Sequence, residues 1–212
     1  MTNGSGIEGE RRPNLVRIIG ASVREIPASP EVRKPKVSVF FDGDYLHHSL
    51  DRLGIKAGVN AFDFRTVLDI LGEGKQIVEA LYFTGISPTP YGQEAKNRFL
   101  IGLSKLGIGS FTIPSYKRDE DEVDPKDPVD HYIIQEMAMR YRKYDEAVLI
   151  SGDGHFINIV RRLLEIPKKV TIVAADGDLH RGLRGSGAKI EDLLTFVPGT
   201  IPVKPVDEIQ VS

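Results

Sequence analysis

The sequence predicts an α/β fold in which a mainly parallel β-sheet of about five strands is covered by helices on both faces. Short runs of β-branched and aromatic residues alternate along the chain with segments whose apolar residues recur at helical spacing. The chain has 212 residues, of which 41% are hydrophobic. That is enough for one domain with a sizeable core, or for two small ones.

Five segments are predicted to be strands because each is a short, largely apolar run. They are Lys36–Phe41, Gln76–Phe83, Gly109–Pro114, Glu146–Ile150 and Val170–Ala175. A helix is the alternative for the second of them. Helices are predicted between the strands, over residues 62–71, 99–106, 129–144 and 154–165, where apolar residues are spaced by three or four. Gly107 is expected to end the second of these helices.

The folded domain is predicted to span residues 36–197. Residues 1–35 are rich in Gly, Pro, Ser and Arg and predict a flexible N-terminal extension, with a dedicated binding arm as the alternative. Residues 198–212 predict an extended, Pro-spaced tail. No run approaches the roughly 20 apolar residues that a membrane span needs, and the first thirty residues lack the apolar core of a signal peptide. We therefore expect a soluble, cytoplasmic protein without a membrane partner.

The composition excludes several kinds of site. The chain has no cysteine, which rules out a disulfide framework, a cysteine zinc site, an iron–sulfur cluster and a thiol nucleophile. The formal charge is -2, from 30 acidic and 28 basic residues, so no general basic coat for nucleic acid is present. Any site for a polyanion must therefore be local.

Acidic residues follow several of the predicted strands. They are Asp42 and Asp44 after the first strand, Asp153 after the fourth, and Asp176 and Asp178 after the fifth, while Asp130 opens the helix before the fourth. Ligands of parallel α/β sheets bind beyond the carboxyl ends of the strands, so these acids are expected to converge on one edge. Helix capping for Asp153 and turn formation for Asp42 are the structural alternatives. A cluster of carboxylates favours a hard cation, Mg²⁺ or Mn²⁺.

Among the histidines, His155 lies two residues beyond Asp153, at the same expected edge. Contact with a metal, a water or a phosphate is the hypothesis for this side chain. His47 and His48 are instead predicted to be exposed positions on a helix.

Three blocks of sequence carry a resemblance to a known family. FFDGDYL at 40–46, KDPVD at 126–130 and VLISGDGHF at 148–156 resemble the FIDGxN, KxVD and LxSGDxDF blocks of the NYN (LabA-like) domain in the PIN-like nuclease superfamily. The blocks stand in the same order as in that family, and the resemblance covers about residues 36–197.

This resemblance implies a three-layer α/β/α fold that binds Mg²⁺ or Mn²⁺ and hydrolyses phosphodiester bonds, typically of RNA. By the positions they match, the catalytic and metal-binding acids would be Asp42, Asp130 and Asp153. Asp44, Glu136 and His155 are further candidate metal ligands, although Glu136 falls about 120° around the helix from Asp130. The candidate substrate-binding residues are Ser151, Tyr45, Arg181 and Arg184, the two arginines lying in the Gly-rich stretch HRGLRGSG. A solvated linker is the alternative for that stretch.

Two positions depart from the family pattern. Tyr45 stands where the first block has Asn, and His155 stands where the third has its second Asp. The alternative function is therefore a catalytically weakened PIN-like module that binds RNA or a protein partner. A haloacid-dehalogenase-like phosphatase is a further alternative, because Asp42-Gly43-Asp44 resembles its DxD motif, although Ile157 occupies a position that its later motif needs to be acidic. DNA as the substrate, endo- or exonucleolytic action and the oligomeric state stay open, although PIN-like folds often form homodimers.

Overall fold

The computed structural model describes most of the predicted domain. The described residues are 33–55, 62–86, 89–114 and 128–197, together with the backbone of 18–19 and 22–23. The predicted extension over 1–35, the charged segment 117–127 and the tail 198–212 lie wholly or mainly outside them. Residues 1–33 form a unit of their own, in which Ile18–Ile19 (β1) pairs antiparallel with Ser22–Val23 (β2).

The second unit, residues 34–212, contains a parallel sheet. Its six strands among the described residues are Lys36–Asp42 (β3), Gln76–Gly85 (β4), Gly109–Ile113 (β5), Glu146–Ile150 (β6), Lys169–Ala174 (β7) and Lys189–Asp192 (β8). They lie in the order β5-β4-β3-β6-β7-β8, and each neighbouring pair is parallel. The predicted α/β fold is confirmed, with β8 added at one edge.

Helices connect these strands. The described part of the chain contains Gly43–Arg52 (α1), Phe64–Leu71 (α2), Pro90–Lys105 (α3), Pro128–Arg140 (α4), Ile157–Glu165 (α5) and Arg181–Arg184 (α6). Short 3₁₀ turns stand at Gly154–Phe156, Asp176–Asp178 and Leu193–Phe196. The predicted helix over 129–144 ends at Arg140, and Tyr144 beyond it is buried and donates its hydroxyl proton to the carbonyl of Met137 at 2.8 Å. None of the described helices is long and apolar enough to cross a membrane.

The sheet is buried on both faces, which gives the domain three layers. Side chains alternate between the faces of a strand, and β3 places Val37, Val39 and Phe41 in one core cluster and Phe40 in the other. Residues of α1, α2 and α3 complete the first cluster, and residues of α4, α5 and α6 complete the second. This accounts for the apolar residues on both faces of β3, interrupted between Val37 and Phe41 by Ser38 alone, since a strand covered on both faces has no solvent side.

The order of the strands fixes where a ligand can bind. From β3 the chain proceeds to β4 and β5 on one side, and then crosses to β6, β7 and β8 on the other. The crevice at such a switch point, beyond the carboxyl ends of β3 and β6, is the usual ligand site of an open α/β sheet. Asp42 ends β3, and Ser151 directly follows β6.

A candidate metal centre at the carboxyl end of the sheet

Asp42 connects the two central strands. Its Oδ1 accepts a hydrogen bond from the backbone N–H of Tyr45 at 3.0 Å, which caps α1, and its Oδ2 accepts one from the hydroxyl of Ser151 at 2.9 Å. The residue is only 4% exposed. The turn at Asp42 is the start of α1, and the carboxylate that caps this helix also faces the candidate site.

The environment of Asp42 disfavours its charged form. Burial raises its pKa from 3.8 to about 7, and the nearby charges of Asp130 and Asp44 act in the same direction. The hydrogen bonds from Tyr45 and Ser151 oppose this shift without cancelling it. A cation placed beside this carboxylate would stabilise its charged form.

Asp130, Asp153 and His155 form a compact cluster of possible metal ligands. One ligand atom from each lies within 4.8 Å of the others. His155 Nδ1 is 2.8 Å from Asp130 Oδ2 and 3.1 Å from Asp153 Oδ1. Two carboxylates and an imidazole are a donor set that suits a divalent cation, so these residues fit the metal that the sequence resemblance implies.

Local structure delivers these three side chains from two segments. Asp130 lies in the first turn of α4 and is buried, whereas Asp153 follows β6 and caps the next 3₁₀ turn by accepting from the backbone N–H of His155 at 2.9 Å. The side chains of Asp153 and His155 are 45% and 64% exposed. The cluster is thus buried on the side of Asp130 and α4, and it is open to solvent on the side of Asp153 and His155.

A cleft of ≈ 660 Å³ connects this cluster with Asp42. Its lining consists of acidic, aromatic and basic side chains from the end of β3, from α1 and α4, and from the segment after β6, namely Asp42, Asp44, Tyr45, His48, Asp51, Arg52, Asp130, Asp153 and His155. Six of the ten predicted site residues therefore share one cavity, and Ser151 contacts it through Asp42.

The other three predicted site residues are not among the described residues that line this cleft. Glu136 forms an ion pair with Arg140, one turn further along α4. Arg181 and Arg184 lie exposed on α6, where Arg184 forms an ion pair with Asp176 at 2.6 Å. Their predicted roles stay predictions.

Sequence reasoning missed three residues of the cleft: His48, Asp51 and Arg52. All three follow Asp44 and Tyr45 along α1 at spacings of three or four, which places them on one face of that helix. This periodicity groups them with Asp44 and Tyr45, although it does not show which face of α1 lies toward the cleft. Arg52 also forms an ion pair with Asp178 at 3.1 Å.

Tyr45 and Gly152 lie where α1, the segment after β6 and the end of β7 approach one another closely. The hydroxyl oxygen of Tyr45 accepts a hydrogen bond from the backbone N–H of Ala175 at 3.1 Å, which ties α1 to the end of β7. A Cβ at Gly152 would lie 2.6 Å from the carbonyl oxygen of Asp178 and 2.8 Å from the Tyr45 hydroxyl. The close approach of these segments therefore requires glycine at 152.

An open parallel sheet with acidic side chains gathered at the ends of its central strands is the arrangement of a PIN-like nuclease fold. Residues 36–186 match the family model of the NYN domain, and the chain belongs to this family of the PIN-like superfamily. The predicted resemblance is thereby confirmed.

The chain is also similar to a relative in sequence and to a solved structure in fold. The chain is 26% identical over 185 residues to the low amplitude and bright protein LabA of Synechococcus elongatus, an alignment that covers 82% of this chain and 93% of LabA. A crystal structure of a protein of unknown function from Vibrio parahaemolyticus has the same fold, with a TM-score of 0.65 and 20% identity over 78% of this chain and 96% of that one.

Proposed function

We propose that this protein is a metal-dependent nuclease that hydrolyses phosphodiester bonds of RNA with Mg²⁺ or Mn²⁺. The observation that carries the proposal is the convergence of Asp130, Asp153 and His155 on the cleft that Asp42 lines. Membership of a family with a nuclease fold supports the reaction class. A cytoplasmic location and a homodimer stay predictions.

The cation would be held by Asp42, Asp130 and Asp153, with His155 as a nitrogen ligand. A divalent cation supplies polarisation of a phosphate and acidification of water, and it needs no nucleophilic side chain from the protein. This chemistry suits a chain without cysteine.

The protein's own part is to orient these ligands before substrate arrives. Ser151 fixes one oxygen of Asp42 and the N-terminus of α1 fixes the other, so the carboxylate cannot rotate freely. The hydroxyl of Ser151 also accepts from the backbone N–H of Asp153 at 3.2 Å, and this couples the positions of the two acids. Such preorganisation lowers the cost of reaching the reactive geometry.

Substrate binding requires positive charge near an acidic cleft. Arg52 lines the cleft and pairs with Asp178, and the other donors of its guanidinium could bind a phosphate next to the cation. Arg181 and Arg184 lie on the exposed α6 and would contact more distant phosphates. Contacts to phosphates by a few arginines would make binding strongly dependent on salt.

A second candidate function is a module that binds RNA without cleaving it. The supporting observation is that the His155 imidazole lies against the carboxylates of both Asp130 and Asp153. A neutral imidazole also gives the site one negative charge fewer than an acid at 155 would give. Weaker cation binding would then limit turnover.

One assay separates the two functions. The full chain is incubated with end-labelled single-stranded RNA and with Mg²⁺, Mn²⁺ or a chelator, and an Asp153→Asn variant is purified in parallel. Cleavage by the wild type that needs metal and is lost in the variant would support the nuclease. Cleavage that persists in the variant indicates a contaminant and would overturn it, and retention of RNA without cleavage favours the binding module.

A further inference from the structure

A second cavity adjoins the acidic cleft. It has a volume of ≈ 440 Å³, is lined by residues of α1, β4 and α3, and shares Asp44 and His48 with the cleft. Sites for small molecules typically enclose roughly 300–1,000 Å³, so this volume is ample for a nucleobase. We call this cavity the α1–α3 pocket.

The walls of the α1–α3 pocket are aromatic. Phe99 of α3 is half-buried, and the buried Tyr82 ring in β4 supports it in an edge-to-face contact, with the ring centroids 5.4 Å apart. On the other side, the rings of His47 and His48 lie 5.7 Å apart and are exposed. Aromatic side chains facing a gap are the surfaces on which unpaired bases stack.

Small residues leave the gap between these walls open. On α3 the pocket is lined by Ala95, one turn before Phe99, and by Gly92, nearly two turns before Phe99. Neither carries a side chain that could fill the pocket.

Polar groups stand where the pocket meets the cleft. Lys96 donates from Nζ to the hydroxyl of Thr84 at 3.1 Å and to the carbonyl of Gly85, and Thr84 donates to Asp44 Oδ1 at 2.9 Å. An ammonium group has three donors and a carboxylate about four acceptor positions, so Lys96 and Asp44 retain capacity for a ligand.

We propose that the α1–α3 pocket binds the base of the RNA nucleotide whose phosphate lies in the acidic cleft. The base stacks against the aromatic walls, Lys96 donates to a ring carbonyl or nitrogen, and Asp44 accepts from the ribose 2′-hydroxyl. Continuity of the two cavities through Asp44 and His48 distinguishes this occupant from an unrelated apolar ligand. The assignment rests on the proposed nuclease function for its choice of RNA.

The pocket can be tested by binding, without cleavage. Nucleoside 5′-monophosphates and ribose 5-phosphate are titrated into the full chain with Mg²⁺ and followed by calorimetry and by two-dimensional NMR. Stacking predicts that the nucleotides bind roughly tenfold or more tightly than ribose 5-phosphate. Equal affinity for the two ligands would overturn the proposal.

A matched pair of variants locates the site. Ala95→Leu fills the pocket from an exposed position of α3, whereas Asn97→Leu makes a comparable change at an exposed position outside it. Ala95→Leu is expected to weaken nucleotide binding by about tenfold or more, and Asn97→Leu to leave it unchanged. If the two variants weaken nucleotide binding equally, or if neither weakens it, the α1–α3 pocket is not the nucleotide site.

The two proposals fail in different ways. Nucleotide binding that Ala95→Leu removes, in a protein that cleaves no RNA, would support the pocket and reject the nuclease. RNA cleavage whose KM is the same in the wild type and in Ala95→Leu would support the nuclease and reject the pocket. Replacing the ribonucleotide by its 2′-deoxy form should weaken binding if Asp44 contacts the ribose, and an Asp44→Ala variant should lose this difference.

Discussion

The Nδ1 atom of His155 lies 2.8 Å from Oδ2 of Asp130, and this contact joins the segment after β6 to the first turn of α4. Asp130 and His155 are 25 residues apart in the sequence, and β6 lies between them. The same imidazole nitrogen is 3.1 Å from Asp153 Oδ1. His155 is therefore placed to be displaced by a cation or to share one with the two acids.

The chemistry of this cluster predicts a preference among metals. Imidazole suits Mn²⁺ better than Mg²⁺, so the wild type is expected to bind Mn²⁺ more tightly, and His155→Asp should improve Mg²⁺ binding by at least about tenfold. Calorimetry with each metal, and the rise in melting temperature that each metal causes, measure this directly. His155→Ala is the control, because it removes the imidazole without adding a carboxylate. Identical Mg²⁺ affinity in all three proteins would contradict a role for His155 at the metal.

The raised pKa of Asp42 predicts how stability depends on pH. Its carboxyl binds a proton more tightly in the folded chain, with a pKa of about 7 against 3.8, so this group favours folding at low pH. That contribution is lost as the pH rises through about 7, at a cost of at most about 4 kcal/mol. Asp42→Asn should therefore raise the free energy of unfolding at pH 8 in a chelator, and the gain should shrink toward pH 5.

Denaturant unfolding at several pH values provides the measurement for Asp42. Added Mg²⁺ or Mn²⁺ serves as the internal control, since the cation should stabilise the wild type at pH 8 and have little effect on Asp42→Asn. Parallel pH profiles of the two proteins in chelator would mean that Asp42 is not the group that titrates.

The central part of the fold could be predicted from the sequence because burial leaves a strong local pattern. The run KVSVFF of β3 is covered on both faces of the sheet, and four of its six residues are apolar. The last strand, β8, has the sequence KIED and lies at an edge of the sheet, with Ile190 half-buried. An edge strand with a single apolar residue carries no pattern that separates it from a loop.

The acids of the site were predictable for a related reason. In a parallel sheet, the strand ends share one edge, so Asp42 and Asp153 could be placed together without knowing the strand order. The contribution of α1 was not predictable in this way. Whether His48 and Arg52 face the cleft depends on how α1 rotates and packs on the sheet, and this is decided by burial of Leu46 and Leu50 on its opposite face.

Glu136 and Asp130 lie on the same helix and give a direct comparison of two candidate ligands. Asp130 faces the cleft, whereas Glu136 pairs with Arg140, which also contacts Glu79 at 2.9 Å. Glu136→Gln should therefore leave Mn²⁺ affinity unchanged and lower the free energy of unfolding by roughly 1 kcal/mol. Asp130→Asn should weaken Mn²⁺ binding by at least about tenfold. The two affinities are measured by calorimetry. A loss of metal binding in Glu136→Gln would show that Glu136 is a metal ligand after all.

The crowding around Gly152 predicts that both stability and metal binding depend on the backbone position of this residue. In Gly152→Ala, the new methyl group would meet the carbonyl oxygen of Asp178 at 2.6 Å and the Tyr45 hydroxyl at 2.8 Å, so the segment that carries Asp153 must shift. Overpacking of this kind costs about 1–3 kcal/mol of folding free energy. The shift should also weaken metal binding, because Asp153 lies one residue away.

Gly177→Ala is the matched control for Gly152→Ala, since a Cβ at Gly177 has no heavy atom within 4 Å among the residues that the structure describes. Its melting temperature and its Mn²⁺ affinity should equal those of the wild type. Both quantities are obtained from thermal unfolding of the three proteins with and without Mn²⁺. If Gly152→Ala unfolds at a lower temperature but gains as much stability from Mn²⁺ as the wild type, the backbone at 152 supports the fold without positioning Asp153 for the metal.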